Sequence, residues 1–303
     1  MLGNGRTDSD ADGPALQVMI ERGAAIAARA AKSAKIALRV RLAEVTYGVQ
    51  SIDHATRDHF VQHSRDEIHG WNGTGAYSMT EAVSAHQLSR GICGGVAEIG
   101  VHHGQMFVYL AMLLRQRERG VAIDLFDQQH LNLDRSGHGD YDIFRNNLQK
   151  FCPSSIDQIS IRAGDSQTLE PGQIAKLAGG PVRLISVDGG HWKDIVLNDL
   201  YVAADALHDA GVVVVDDVFN MYFPGVGEGL AHYRGDQTLD PRLRRFRNFD
   251  RRLHPFAIGC NKVLLCFEDH LPAYRTLLVS EFSRHFREFA IGWGVEKIPV
   301  FEF

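Results

Sequence analysis

Cysteine is scarce in this chain. Four residues of 303, Cys93, Cys152, Cys260 and Cys266, are too few and too irregularly spaced for a disulfide framework or a cysteine zinc site, so reduced thiols in a reducing compartment are expected. No stretch approaches the ~18 uninterrupted apolar residues of a membrane span. The opening residues MLGNGRTDSDADG are acidic and glycine-rich rather than basic and then hydrophobic, so a cytoplasmic protein with no membrane partner is expected. Positive charge is not in excess either. With 32 Lys plus Arg against 37 Asp plus Glu the formal charge is -5, which argues against a nucleic-acid partner. Two further absences concern chemistry. The chain contains neither Gly-x-Gly-x-x-Gly nor Tyr-x-x-x-Lys, and both gaps disfavour an NAD-dependent oxidoreductase.

What is present is organised around residues 182–217. The sequence VRLISVDGGHW is followed by about twenty amphipathic residues and then GVVVVDD, which reads as strand, helix, strand. Parallel neighbours finish at the same sheet edge, so Asp188 would meet Asp216 and Asp217 at the carboxyl rim where such sheets bind ligands. Three crowded carboxylates repel unless a cation lies between them, and oxygen-only ligands favour a hard ion such as magnesium. Capping of the following helices is the plainer role for each aspartate taken alone.

The second informative stretch is VAEIGVHHG, residues 96–104, a short strand entering a glycine turn before a helical pattern over 105–115. Free backbone N–H groups at a helix start favour a polar or anionic ligand, and Gly100 and Gly104 let the backbone approach it. The pattern is Glu-x-Gly-x-x-x-Gly, with Glu98 leading and His102 inside the turn. With no pyrophosphate cradle, it suits the amino-acid half of S-adenosylmethionine better than NAD. A following strand, 121–127, carries Asp124 and, as the fallback, Asp127, either of which can take ribose hydroxyls. Further on, a short strand at 159–162 runs into Gly164, Asp165 and Ser166, whose polar groups can hydrogen-bond an adenine edge or simply form a turn and helix cap.

Around this core, residues 1–14 are expected to be disordered. Residues 15–90 form a helical extension, serving as a lid, a dimerisation arm or plain packing, and a homo-oligomer is expected. Its histidines, His54, His59, His63, His69 and His86, match no helical metal pair and read as scattered surface residues. The core spans 91–270 and ends in a hairpin at 256–267. The tail, 271–303, is expected to be an amphipathic helix through Ala290 and a short strand from Ile298. The arginine-rich run 242–252 is either a solvated helix face or a clamp for an anionic group. Polar loops at 128–142 and 218–233 should lie over the carboxyl edge and govern substrate choice.

In this order these motifs resemble class I S-adenosylmethionine-dependent methyltransferases. The likeness is nearest to magnesium-dependent small-molecule O-methyltransferases of the macrocin or sugar type, over residues 93–267. The resemblance implies a doubly wound, Rossmann-like α/β fold with a mostly parallel sheet. It implies S-adenosylmethionine and Mg²⁺ as cofactors, a small-molecule hydroxyl substrate such as a sugar or glycosylated metabolite, and Asp188, Asp216 and Asp217 as metal ligands. The family's base stands two or three residues after the first metal aspartate. Here those positions are Gly190, which cannot act, and His191, which can; His191 is the expected general base, with orientation of substrate or helix capping as its other roles. A non-catalytic nucleoside-binding subunit on the same fold is the alternative that leaves the motifs unexplained as chemistry.

Overall fold

The computed structural model describes residues 13–235, 241–292 and 295–303. The expected disordered tail lies mostly outside these residues, and Gly13 already begins a helix. That first helix, α1 (Gly13–Tyr47), is one continuous rod rather than two, and no described residue of it lines the cavity discussed below. A short α2 (His54–His59) and a longer α3 (Thr74–Ser89) complete the extension.

The sheet then builds in the expected order. β1 (Gly95–Ile99) leads into α4 (Gln105–Met112), β2 (Gly120–Asp124), α5 (Tyr141–Phe151), β3 (Ile159–Ala163), α6 (Gln173–Ala178) and β4 (Val182–Val187). α7 (Lys193–Ala206), β5 (Leu207–Val215) and α8 (Pro224–Gly235) follow. β6 (Leu253–Gly259) and β7 (Lys262–Phe267) form the hairpin, and α9 (Leu271–Glu281) precedes β8 (Phe286–Gly292) and β9 (Val295–Phe301). Among the described residues the strand order is β3-β2-β1-β4-β5-β7-β6-β9-β8. The first five strands are parallel, and β7 joins β5 antiparallel. No described helix is long and apolar enough to cross a membrane.

Strand alternation explains why two layers of helices cover this sheet. Val96, Leu184, Val214 and Leu264 point into one apolar cluster with α3, α4 and α5, whereas Ala97, Ile185, Val215 and Leu265 point into the other with α7 and α8. Strands buried on both faces therefore read as continuous apolar runs. The tail departs from expectation: α9 stops at Glu281, and residues 286–292 pair with β9 instead of continuing the helix. Phe301 is fully buried among the core residues of one cluster, and Phe286 packs against that cluster, so burial of these rings overrides the helical spacing of the preceding stretch.

The order reverses between β1 and β4, because β2 and β3 lie to one side of β1 while β4 and β5 lie to the other. The crevice outside the carboxyl ends at such a reversal is where open α/β sheets hold ligands.

Candidate active site

An open cavity of about 650 Å³ occupies that crevice. The size falls within the range usual for small-molecule sites. The β1–α4 loop forms one wall. Gly100 has φ +87°, and a side chain there would collide with the Asp188 carbonyl oxygen; Gly104, at φ +93°, leaves no room for a Cβ beside the Phe144 ring, which would stand 2.6 Å away. Glycine is thus required because the loop passes tightly between the ends of β1 and β4.

Asp124 holds the loop in shape. One carboxylate oxygen accepts from the His102 backbone N–H at 2.7 Å, and the other from that of Phe126 at 2.7 Å. Burial raises the pKa of Asp124 despite those hydrogen bonds. Glu98 is fully buried at the cavity floor, which lifts its carboxyl to about 8, and its Oε2 has no hydrogen-bond partner among the described residues. Gly164, Asp165 and Ser166 line the cavity from the end of β3, with Asp165 accepting from the Gln167 N–H at 2.8 Å. Gly164 has φ +143° and open space where a Cβ would stand. Asp127 is exposed and does not line the cavity.

The opposite wall carries the charged groups. Asp188 and Asp216 stand at the tips of paired strands, with Val187 opposite Val215 in register. Donor atoms of Asp188, His191 and Asp217 all lie within 4.8 Å of one another. Asp216 points instead to Lys262, a fully buried ammonium with which it is hydrogen-bonded. Burial opposes the charge on Lys262, but Asp216 and Asp188 outweigh it and raise its pKa. Asp217 accepts from Asn220 at 3.0 Å and from Asn261 at 2.8 Å, and sits 3.3 Å from His191 Nε2.

His191 is clasped on its other side by Asp134, which receives both the backbone N–H and ring Nδ1 of His191 at 2.8 Å. Phe223 stacks on the ring at 3.8 Å. Burial disfavours the imidazolium, yet the hydrogen bonds to Asp134 and Asp217 prevail and set the pKa at about 9. The same contacts hold Asp134 and Asp217 below the ordinary carboxylate range, although burial pulls them upward.

Four carboxylates, Asp134, Asp188, Asp216 and Asp217, thus face two cations, Lys262 and His191. The negative excess shows in Asp188, whose pKa stands well above the usual value through burial and then through Asp216. Such a cluster fits a divalent cation.

Asp134 and Lys262 escaped the sequence reading. The signal for Lys262 was a lone cation at the head of an apolar strand, which must be paired to be buried; Asp134 had none beyond its place in a polar loop. Trp192 does not line the cavity. The arginine run does not line the cavity either: Arg245 pairs with Glu170 and Arg251 with Asp209.

Residues 97–218 match the family model described as a methyltransferase domain. The matched stretch runs from β1 through β5 and includes the glycine loop and the aspartate cluster. Over this stretch the chain is similar to a methyltransferase domain. No curated protein matches the chain. Among solved structures, the O-methyltransferase NovP is similar at 15% identity and a TM-score of 0.48, over 78% of this chain and 98% of that one. CalS11, a TDP-rhamnose 3'-O-methyltransferase of calicheamicin biosynthesis, is similar at 16% identity and a TM-score of 0.47, over 77% and 94%. Here the glycine loop and the acidic cluster open into one cavity.

Proposed function

We propose that this protein is an S-adenosylmethionine- and magnesium-dependent O-methyltransferase that acts on a hydroxyl of a small molecule, a sugar or glycosylated metabolite. The observation that carries the reading is the shared cavity. A glycine-lined cradle at the ends of β1 to β3 continues without a wall into the Asp188–His191–Asp217 cluster. The groups bound there would supply a sulfonium methyl and cation-polarised activation of the acceptor hydroxyl.

The chain's own residues do the rest. The backbone of the β1–α4 loop and the orphaned Glu98 oxygen would take the amino-acid half of the cofactor, and Asp165 and Ser166 its nucleoside end. Asp188 and Asp217 would hold the cation, with Asp216 kept in place by Lys262. Asp134 fixes the His191 ring through Nδ1 and leaves Nε2 turned to the cluster, where it can receive the proton of the acceptor hydroxyl. Asn132 and Leu133, with Phe223 from the opposite loop, stand where an acceptor would be gripped.

Calorimetric titration of S-adenosylmethionine and Mg²⁺ into the folded protein tests this. Cofactor binding is expected in the wild type. Asp188→Ala should keep it while losing magnesium-dependent methyl transfer. A folded protein with no affinity for the cofactor would refute the proposal.

A further inference from the structure

Outside the acidic cluster, the cavity rim carries a second group of metal-ligating side chains. His69, from the segment that links α2 to α3, meets the adjacent His102 and His103 of the β1–α4 loop. One nitrogen from each lies within 4.8 Å of the other two. The His69 ring centroid is 5.2 Å from that of His102 and 5.8 Å from that of His103.

The two backbones that present these rings are anchored. The His102 N–H donates to Asp124, and the His103 carbonyl accepts from Asn147 at 2.9 Å. On the other side, Gln105 accepts from the Asn72 N–H at 2.9 Å and donates to the Ile68 carbonyl at 3.0 Å, which fastens residues 68–72 to the start of α4. His102 Nδ1 is buried and has no hydrogen-bond partner among the described residues.

We propose that His69, His102 and His103 form a binding site for a first-row divalent transition ion of the zinc class, separate from the acidic cluster. The ligand chemistry selects against magnesium, since three imidazoles without a carboxylate suit Zn²⁺, Ni²⁺, Cu²⁺ or Co²⁺. Imidazole nitrogens about 2.0–2.1 Å from a tetrahedral zinc stand roughly 3.4 Å apart, so the present spacing closes with a shift of about an ångström. The exposed His69 side chain can supply it. The fourth position would remain open toward the cavity, which His69 and His102 both line. An ion here would pin residues 69–72 to the glycine loop and stiffen that wall of the cavity.

The test is calorimetric titration of Zn²⁺ into the full chain without other ligands, with Co²⁺ as a spectroscopic probe. The comparison set is wild type, His69→Ala, His103→Ala and Asp188→Ala. One equivalent with nitrogen-ligand Co²⁺ bands should bind to Asp188→Ala, and the same bands should appear in wild type beside any ion taken by the acidic cluster. Affinity should fall by about tenfold or more in each histidine variant. His69 is exposed, so its variant tests the site without disturbing the fold. Equal zinc affinity in the wild type and both histidine variants, or loss in Asp188→Ala alone, would overturn the proposal.

Discussion

In the proposed mechanism His191 must lose a proton that its own neighbours hold in place. A pKa near 9 means that the ring enters neutral pH protonated. The rate at saturating cofactor should therefore climb with pH as that proton is lost. Asp134→Asn removes one of the two carboxylates and should move that inflection downward, while His191→Ala should abolish it and slow turnover by roughly 10²–10⁴-fold on the alkaline side, less below. A pH–rate profile unmoved by Asp134→Asn would disprove this part of the scheme. Gly100 is the other decisive residue. A methyl there meets the Asp188 backbone rather than a flexible side chain, so Gly100→Ala should both lower the melting temperature and weaken cofactor binding by tenfold or more, read by thermal shift and calorimetry. The glycine was legible in the sequence, but the role of Asp134 was not, because its partner lies 57 residues away.

Elements are joined to the sheet by a few buried polar groups. Arg183 of β4 is fully buried and donates to Ser84 at 3.0 Å and Gln87 at 3.1 Å on α3, to the Leu113 carbonyl at 2.8 Å, and pairs with Glu118 at 3.5 Å. Removing Arg183 takes the charged donor from Ser84, Gln87 and the Leu113 carbonyl, at roughly 1–3 kcal/mol for a buried group left unsatisfied, while Glu118 keeps Arg115 at 3.2 Å. Arg183→Met should lower stability on that scale in urea unfolding, with cofactor affinity of the folded fraction retained. At this scale the sequence was readable wherever an element had a single dominant pattern. β1, β4, β5 and β7 were found as apolar runs ending in polar turns. β8 was not, because residues 282–290 have rings at helical spacing, and only pairing with β9 decides that they extend. α1 runs as a single rod because its alanine-rich sequence carries through the lone Gly23 and ends only before Gly48.

Across the whole molecule, the charges around the cavity link stability to pH. The folded pKa of His191 lies above its unfolded value of about 6.5, so the stabilisation it contributes is complete below that pH and is lost as pH rises through about 9. In metal-free protein held with chelator, unfolding free energy should fall by on the order of 2–3 kcal/mol across this window, and His191→Gln should flatten the slope. Stability and the availability of the base thus run in opposite directions with pH. Taken by itself, the sequence determined the doubly wound sheet and the placing of Asp188, Asp216 and Asp217 at two strand ends, because burial on both faces and parallel pairing are written into local runs. It also marked the glycine loop, since tight backbone passage demands that residue type. Only the tertiary structure decided that Lys262 takes Asp216, that Asp134 clasps His191, and that His69 meets His102 and His103. Those contacts join segments far apart in the chain, and no local pattern encodes the distance between side chains that only the closed fold brings together.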